Sequence, residues 1–192
     1  MTKKREMRTF DITNIQKRDG ENQSLRVSGY AAVFNTKTSI GDYFEEVINP
    51  GAFSRTLSEN GDVRALFNHN WDKVLGRTKS GTLILSEDDR GLKFEIELPN
   101  NSLGRDLAES MARGDINQCS FGFFATDEEW NYNIEPASRN IKEVELFEIS
   151  IVSIPAYDDT EVALVRSKEI DKDAEKRIKL INQIKGVLEN EN

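Results

Sequence analysis

Four side chains in this sequence could do chemistry together. His69, in "ALFNHNWD", is the only histidine, and Cys119 and Ser120 stand side by side in "NQCSFGFF". Glu148 interrupts the apolar run "VELFEISIVS". Imidazole titrates nearest neutral pH, so any histidine-based proton transfer here must pass through His69. A hydroxyl or thiol beside such a base is a nucleophile. A carboxylate on the far ring nitrogen would orient the base, and a glutamate desolvated in a strand needs such a partner. Plainer alternatives stand beside each reading: a loop histidine, small residues tolerated in a strand, and glutamates of an exposed edge facing water. Glu143 and Glu145 are further carboxylates of the same run.

The elements around these residues set their directions. "INQCSFGFFAT" reads as a strand, whose side chains alternate between faces. Cys119, Phe121 and Phe123 fall on one side, which looks like core, where a cysteine behaves as a small hydrophobe. Gln118, Ser120, Gly122 and Phe124 fall on the other, and Gly122 leaves that face open to approach. In "IKEVELFEISIVSIP", alternation puts Val144, Leu146, Glu148, Ser150 and Val152 on one face, with Glu143 and Glu145 opposite. His69 falls at the end of the strand "DVRALFNH", followed by a turn, "NWDKVLGRTKSG".

The rest of the chain alternates short strands with few helices. Residues 7–15 and 24–35 read as strands, with Asp19-Gly20 marking a turn between them. "YFEEVIN" is another strand. "NPGAFSRTLSE" reads as a short helix capped by Asn49, with Pro50 in its first turn. "TLILSEDDRGLKFEIELP" reads as a hairpin. "NNSLGRDLAESMARGD" reads as a helix capped by Ser102 and ended by Gly114. "EVALV" is a last strand. Many short strands with two or three helices predict a closed or partly closed β-barrel decorated by helices. From Arg166 the composition changes to a charged amphipathic helix with an apolar stripe from Ile170 to Leu188. The domains are thus 1–165 and 166–192.

Composition limits the function classes. The 192 residues suffice for one domain with an appendage, and the formal charge is -8. No stretch approaches the roughly 20 apolar residues of a membrane span. The basic start lacks the apolar region of a secretory signal. One cysteine excludes an intramolecular disulfide and fits a reducing compartment. Nucleic-acid binding has no basic aromatic stripe behind it. One histidine and one cysteine cannot build a closed zinc site; a carboxylate-rich magnesium or calcium site stays open but no spacing suggests one, so neither a metal nor a cofactor is expected.

Ordered blocks carry a family resemblance: "GYAAVFN", "FEEVINPGAF", "ALFNHNWDKVLGRTKSGTL", "GLKFEIELP", "QCSFGF" and "ELFEISIVSIPAYDDT". Together, over residues 10–165, they resemble the prohead (capsid maturation) serine proteases of tailed bacteriophages, distantly similar in fold to herpesvirus maturational proteases. The resemblance implies a β-barrel endopeptidase with a Ser-His-Glu set: His69 of the Asn68-His69 pair, Ser120 opening the "SFGF" block, and Glu148 before the isoleucine-serine pair. Relatives often carry aspartate where Asn70 stands. Arg77, in "LGRTKSG", is a candidate to organise an oxyanion hole or to be purely structural. The implied substrates are the major capsid protein and its scaffold, often the protease itself, inside the assembling prohead in the host bacterial cytoplasm. Self-association into a dimer is left open by the wider fold.

Other classes stay in competition. The fold could serve as a catalytically idle scaffolding module, or as a hydrolase of small esters. The tail reads either as a solvated helix or as an assembly handle that self-cleavage near residues 160–170 would release.

Overall fold

The computed structural model describes residues 5–11, 25–59 and 61–153. Its elements are β1 (Glu6–Asp11), β2 (Arg26–Val33), β3 (Thr38–Ile40), β4 (Phe44–Ile48), α1 (Ser54–Ser58), β5 (Arg64–Phe67), β6 (Asn70–Arg77), β7 (Leu83–Glu87), β8 (Gly91–Glu97), α2 (Ser102–Arg113), β9 (Gln118–Asn131) and β10 (Ala137–Val152). The charged tail, its predicted helix and the 165/166 boundary lie outside the described residues, as does the predicted strand "EVALV".

The longest strands, β9 and β10, pair antiparallel and carry the larger sheet. β1 lies antiparallel on the outer edge of β9. The other edge of β10 serves two strands in series. β4 runs parallel to it over Ala137–Ile141, and β5 runs parallel to it over Glu148–Ile151. β3 extends β4, and β6 extends β5. A second sheet, in the order β2-β8-β7, stands apart from this ladder. Among the described residues the fold is therefore mostly strands with two α-helices; of the closed or partly closed barrel read from the sequence, no closed barrel is found.

The ladder is interrupted in the middle of β10. It is irregular between Ile141 and Glu148, and no strand occupies the gap between β4 and β5. α1 and the turn before it fill that gap instead. Val144 N donates to Ala52 O at 2.9 Å. The Thr56 hydroxyl donates to Val144 O at 3.0 Å and accepts from Leu146 N at 3.1 Å. These backbone groups of β10 are thus satisfied by α1 and the turn before it.

Helix starts differ from expectation. Asn49 does not cap α1; its N–H donates to Ile141 O, and a turn through Gly51 intervenes. The start of α1 is served from a distance by Glu87 of β7, which accepts from Phe53 N at 3.0 Å and from the Ser54 hydroxyl. α2 is capped by Asn101 rather than Ser102: the Asn101 side chain accepts from Gly104 N at 2.9 Å. Gly114 ends α2 with φ 83°, as read from the sequence. The predicted strand pair at the N-terminus is split between sheets, since β1 joins β9 and β2 joins β8.

The core is one cluster spanning both sheets and α2. Phe121 sits in it fully buried, stacked on Phe123 with centroids 5.0 Å apart and meeting Phe53 edge-on at 5.5 Å. Away from that core, β1, β4 and β10 are tied by buried charges. Glu46 of β4 accepts from Arg8 of β1 at 2.5 Å and from Arg139 of β10 at 2.9 Å. Arg139 also binds Glu6 and Glu128. Burial opposes ionisation of Glu6, but its bonds to Arg139 and the nearby Arg8 charge overcome this and hold its carboxyl down to about 2. No helix among the described residues is long and apolar enough to cross a membrane.

Candidate active site

His69 owes its place to a turn. Phe67 pairs with Asn70, so Asn68 and His69 are the two loop residues of the β5–β6 hairpin. Both have positive φ, 53° and 55°. Two left-handed loop residues match the type I′ hairpin turn, which usually favours asparagine and glycine. A histidine there is unusual and must be held by its surroundings. The segment read as a turn after His69 is in fact strand β6, and the turn falls on Asn68-His69 itself.

The end of β10 does the holding. Asn68 N donates to Ile151 O at 3.0 Å. The Asn68 side chain accepts from Ser153 N at 2.9 Å and donates to the Ser153 hydroxyl at 3.1 Å. His69 N donates to the Ser150 hydroxyl at 3.2 Å. The ring is fixed from the same strand: Nδ1 lies 2.8 Å from Glu148 Oε1. The other carboxylate oxygen, Oε2, accepts from the Ser150 hydroxyl at 2.6 Å. Glu148 is wholly buried, so these partners stand in for water.

Strict alternation misplaced one part of this face. The ladder slips between Leu146 and Glu148, as in a β-bulge. Val144 and Leu146 belong to the core with Ile149 and Ile151. Beyond the slip, Glu148 is opposite Gly122 and Ser150 is opposite Ser120, while Glu145 before it is opposite Phe124. Glu148 therefore shares the Ser120 face, not the Leu146 face, and Glu145 is not on the side predicted for it. Gly122 is explained by the same packing. A Cβ there would lie 2.5 Å from Glu148 Oε1 and 2.6 Å from the Phe147 ring. The glycine makes room for the carboxylate itself, rather than for an approaching ligand.

Ser120 is fully buried and is the cross-strand neighbour of Ser150. The structure joins His69 to Glu148 directly, but Ser120 makes no hydrogen bond with either. Ser120 Oγ and His69 Nε2 are the two buried side-chain polar atoms that lack a hydrogen-bond partner among the described residues. Cys119 faces the core, and its thiol is pushed well up by burial and then by the Glu148 charge. A thiol so placed is a poor nucleophile.

Two arginines complete the picture. Arg5 stands 3.7 Å from Glu148 Oε1 and 4.6 Å over the Phe147 ring. Nothing in the sequence pattern marked it. Arg77 is instead committed to Asp62, with two bonds of 2.6 Å that hold the Asp62 carboxyl at about 2.

The fold has a counterpart among phage assembly enzymes. It is similar to the bacteriophage T4 capsid assembly protease, with a TM-score of 0.56 over 77% of this chain and 96% of that one, at 9% identity. The chain belongs to the Caudovirus prohead serine protease family, whose profile matches residues 11–176. The prohead protease of Escherichia phage T5 is 29% identical over 102 residues. That stretch is 53% of this chain and 45% of the relative, so less than half of the relative's length is matched.

Proposed function

We propose that this protein is a serine endopeptidase of prohead maturation, with Ser120 as nucleophile, His69 as general base and Glu148 as the group that orients the base. The observation that carries this reading is the pair of unpartnered buried atoms, Ser120 Oγ and His69 Nε2. Each unpaired buried polar group costs about 1–3 kcal/mol. A free ring nitrogen on an imidazole–carboxylate pair, with a free hydroxyl on the neighbouring strand, is expected where groups await a reacting partner. Catalytic hydrogen bonds commonly tighten only when substrate binds.

Two serines face each other across β9 and β10, and their bonding separates them. The Ser150 hydroxyl is committed to Glu148 and to His69 N. Ser120 keeps an uncommitted hydroxyl. In the reaction, His69 Nε2 takes the Ser120 proton as Oγ attacks a peptide carbonyl. Glu148 accepts the Nδ1 hydrogen, which leaves Nε2 as the basic atom, and its charge stabilises the imidazolium. The imidazolium then protonates the leaving amine, and water, deprotonated by the same imidazole, releases the acyl group.

Family membership and the names of the T5 and T4 proteins favour capsid and scaffold proteins as substrates, and the protease itself, within the assembling head. Co-expression with the capsid protein of the same phage, read by intact mass, tests this. Wild type is expected to shorten the capsid protein and Ser120→Ala to leave it whole. Equal cleavage by the two would remove Ser120 from the role. An intact capsid protein with wild type would favour the idle assembly module.

A further inference from the structure

We propose that Ser150 is a positioning residue that sets both the imidazole and the backbone of His69; this rests on the reading of His69 as the general base. Ser150 is fully buried and lies on β10, two residues past Glu148. Its hydroxyl closes a ring of three contacts. It donates to Glu148 Oε2 at 2.6 Å, it accepts from His69 N at 3.2 Å, and Glu148 Oε1 meets His69 Nδ1 at 2.8 Å.

The direction of each bond follows from the chemistry. An ionised carboxylate only accepts, so the single Ser150 proton must go to Glu148. A Ser150 lone pair then receives the His69 N–H. One hydroxyl thus fixes the carboxylate at its far oxygen and the histidine at its backbone. That second hold matters because His69 has φ 55°, a conformation a non-glycine residue keeps only when its surroundings over-determine it. Asn68 is secured separately by Ile151 and Ser153. Without Ser150 the Asn68 bonds would still hold the turn, but His69 N and Glu148 Oε2 would each lose a partner and the aim of the imidazole would loosen. An error of about 1 Å in a catalytic group costs about 10²-fold in rate.

The test uses the full chain, a fluorophosphonate as probe and the variants Ser150→Ala and Ser150→Thr. The serine oxygen attacks phosphorus and fluoride leaves, taking the place of peptide attack. Labelling at Ser120 is located by peptide mass. Ser150→Ala is expected to lower the maximal labelling rate 10–100-fold while the half-saturating probe concentration changes less than about 3-fold. Ser150→Thr, which keeps the hydroxyl, is expected to restore most of the rate. Because His69 is the only histidine, its Nδ1 proton can be followed in NMR spectra without ambiguity. That signal is expected to move or broaden in Ser150→Ala and to return in Ser150→Thr. An unchanged rate and unchanged proton signal in folded Ser150→Ala would overturn the positioning role. So would a Thr variant that folds but matches Ala in both readouts. Wild type that labels elsewhere or not at all would instead count against Ser120 as nucleophile, and the proton signal would then decide the positioning role by itself.

Discussion

The imidazole of His69 meets the carboxylate of Glu148 at 2.8 Å, although 79 residues separate them in the chain. A wholly buried carboxylate with one oxygen on the ring and the other on Ser150 can hold the imidazole but has little freedom to do anything else. Glu148→Gln should therefore fold and lose turnover by about 10³-fold or more, because an amide does not stabilise the imidazolium. Capsid-protein cleavage rates, measured beside a circular dichroism melt, check this. A melt near that of wild type with cleavage also near wild type would exclude Glu148 from the mechanism.

Cys119 should be chemically silent. It is fully buried, and both burial and the Glu148 charge disfavour its thiolate. Iodoacetamide should leave the native protein unlabelled and active, and label it after denaturation. Cys119→Ala should keep cleavage and lose roughly 1–2 kcal/mol of stability from the cavity it leaves. Selective loss of cleavage in that variant would identify a cysteine enzyme.

Gly122 should not tolerate even a methyl group. Its absent side chain is where Glu148 Oε1 and the Phe147 ring lie. Gly122→Ala is expected to cost about 1–3 kcal/mol from overpacking and to lower activity more than stability alone explains. Urea unfolding and cleavage assays on the same preparation separate the two effects. A variant equal to wild type in both would show that the carboxylate can move aside freely.

The charged cluster around Arg139 gives the fold an acid limit. The carboxyl of Glu6 lies at about 2 when folded, against 4.5 when unperturbed. The folded state thus holds this proton more weakly than the unfolded chain does. Its contribution to stability is complete above about pH 4.5 and is lost as the pH falls towards 2. Asp62, held at about 2 by its bonds to Arg77, acts in the same direction. Arg139→Met would leave Glu6 and Glu46 without that cation and should cost about 3–5 kcal/mol at neutral pH. Urea midpoints at pH 7 and pH 3 check the sign: the gap between variant and wild type should narrow in acid, where Glu6 without its Arg139 partner takes up a proton.

The residues of the candidate site are legible without the fold. With one histidine there was no second candidate for the base, and a glutamate among β-branched residues stood out because burying an unpaired charge is costly. Local periodicity also marked most strands, the β7–β8 hairpin and α2, since those signals depend on near neighbours. Everything that required a partner far along the chain was decided by tertiary structure. The β-bulge before Glu148 reversed the predicted face, because a one-residue slip leaves no mark in alternation until the opposing strand is in place. The hairpin turn falls on Asn68-His69 because the end of β10 stabilises two left-handed residues there, a conformation uncommon for any residue but glycine. No closed barrel is found among the described residues, and Thr56 and Ala52 of the α1 region meet the backbone of β10 between β4 and β5, a contact that local periodicity does not reveal. Ser150 was legible only as a small residue in a strand; its two bonds, one to a side chain and one to a distant backbone, exist only in the folded chain.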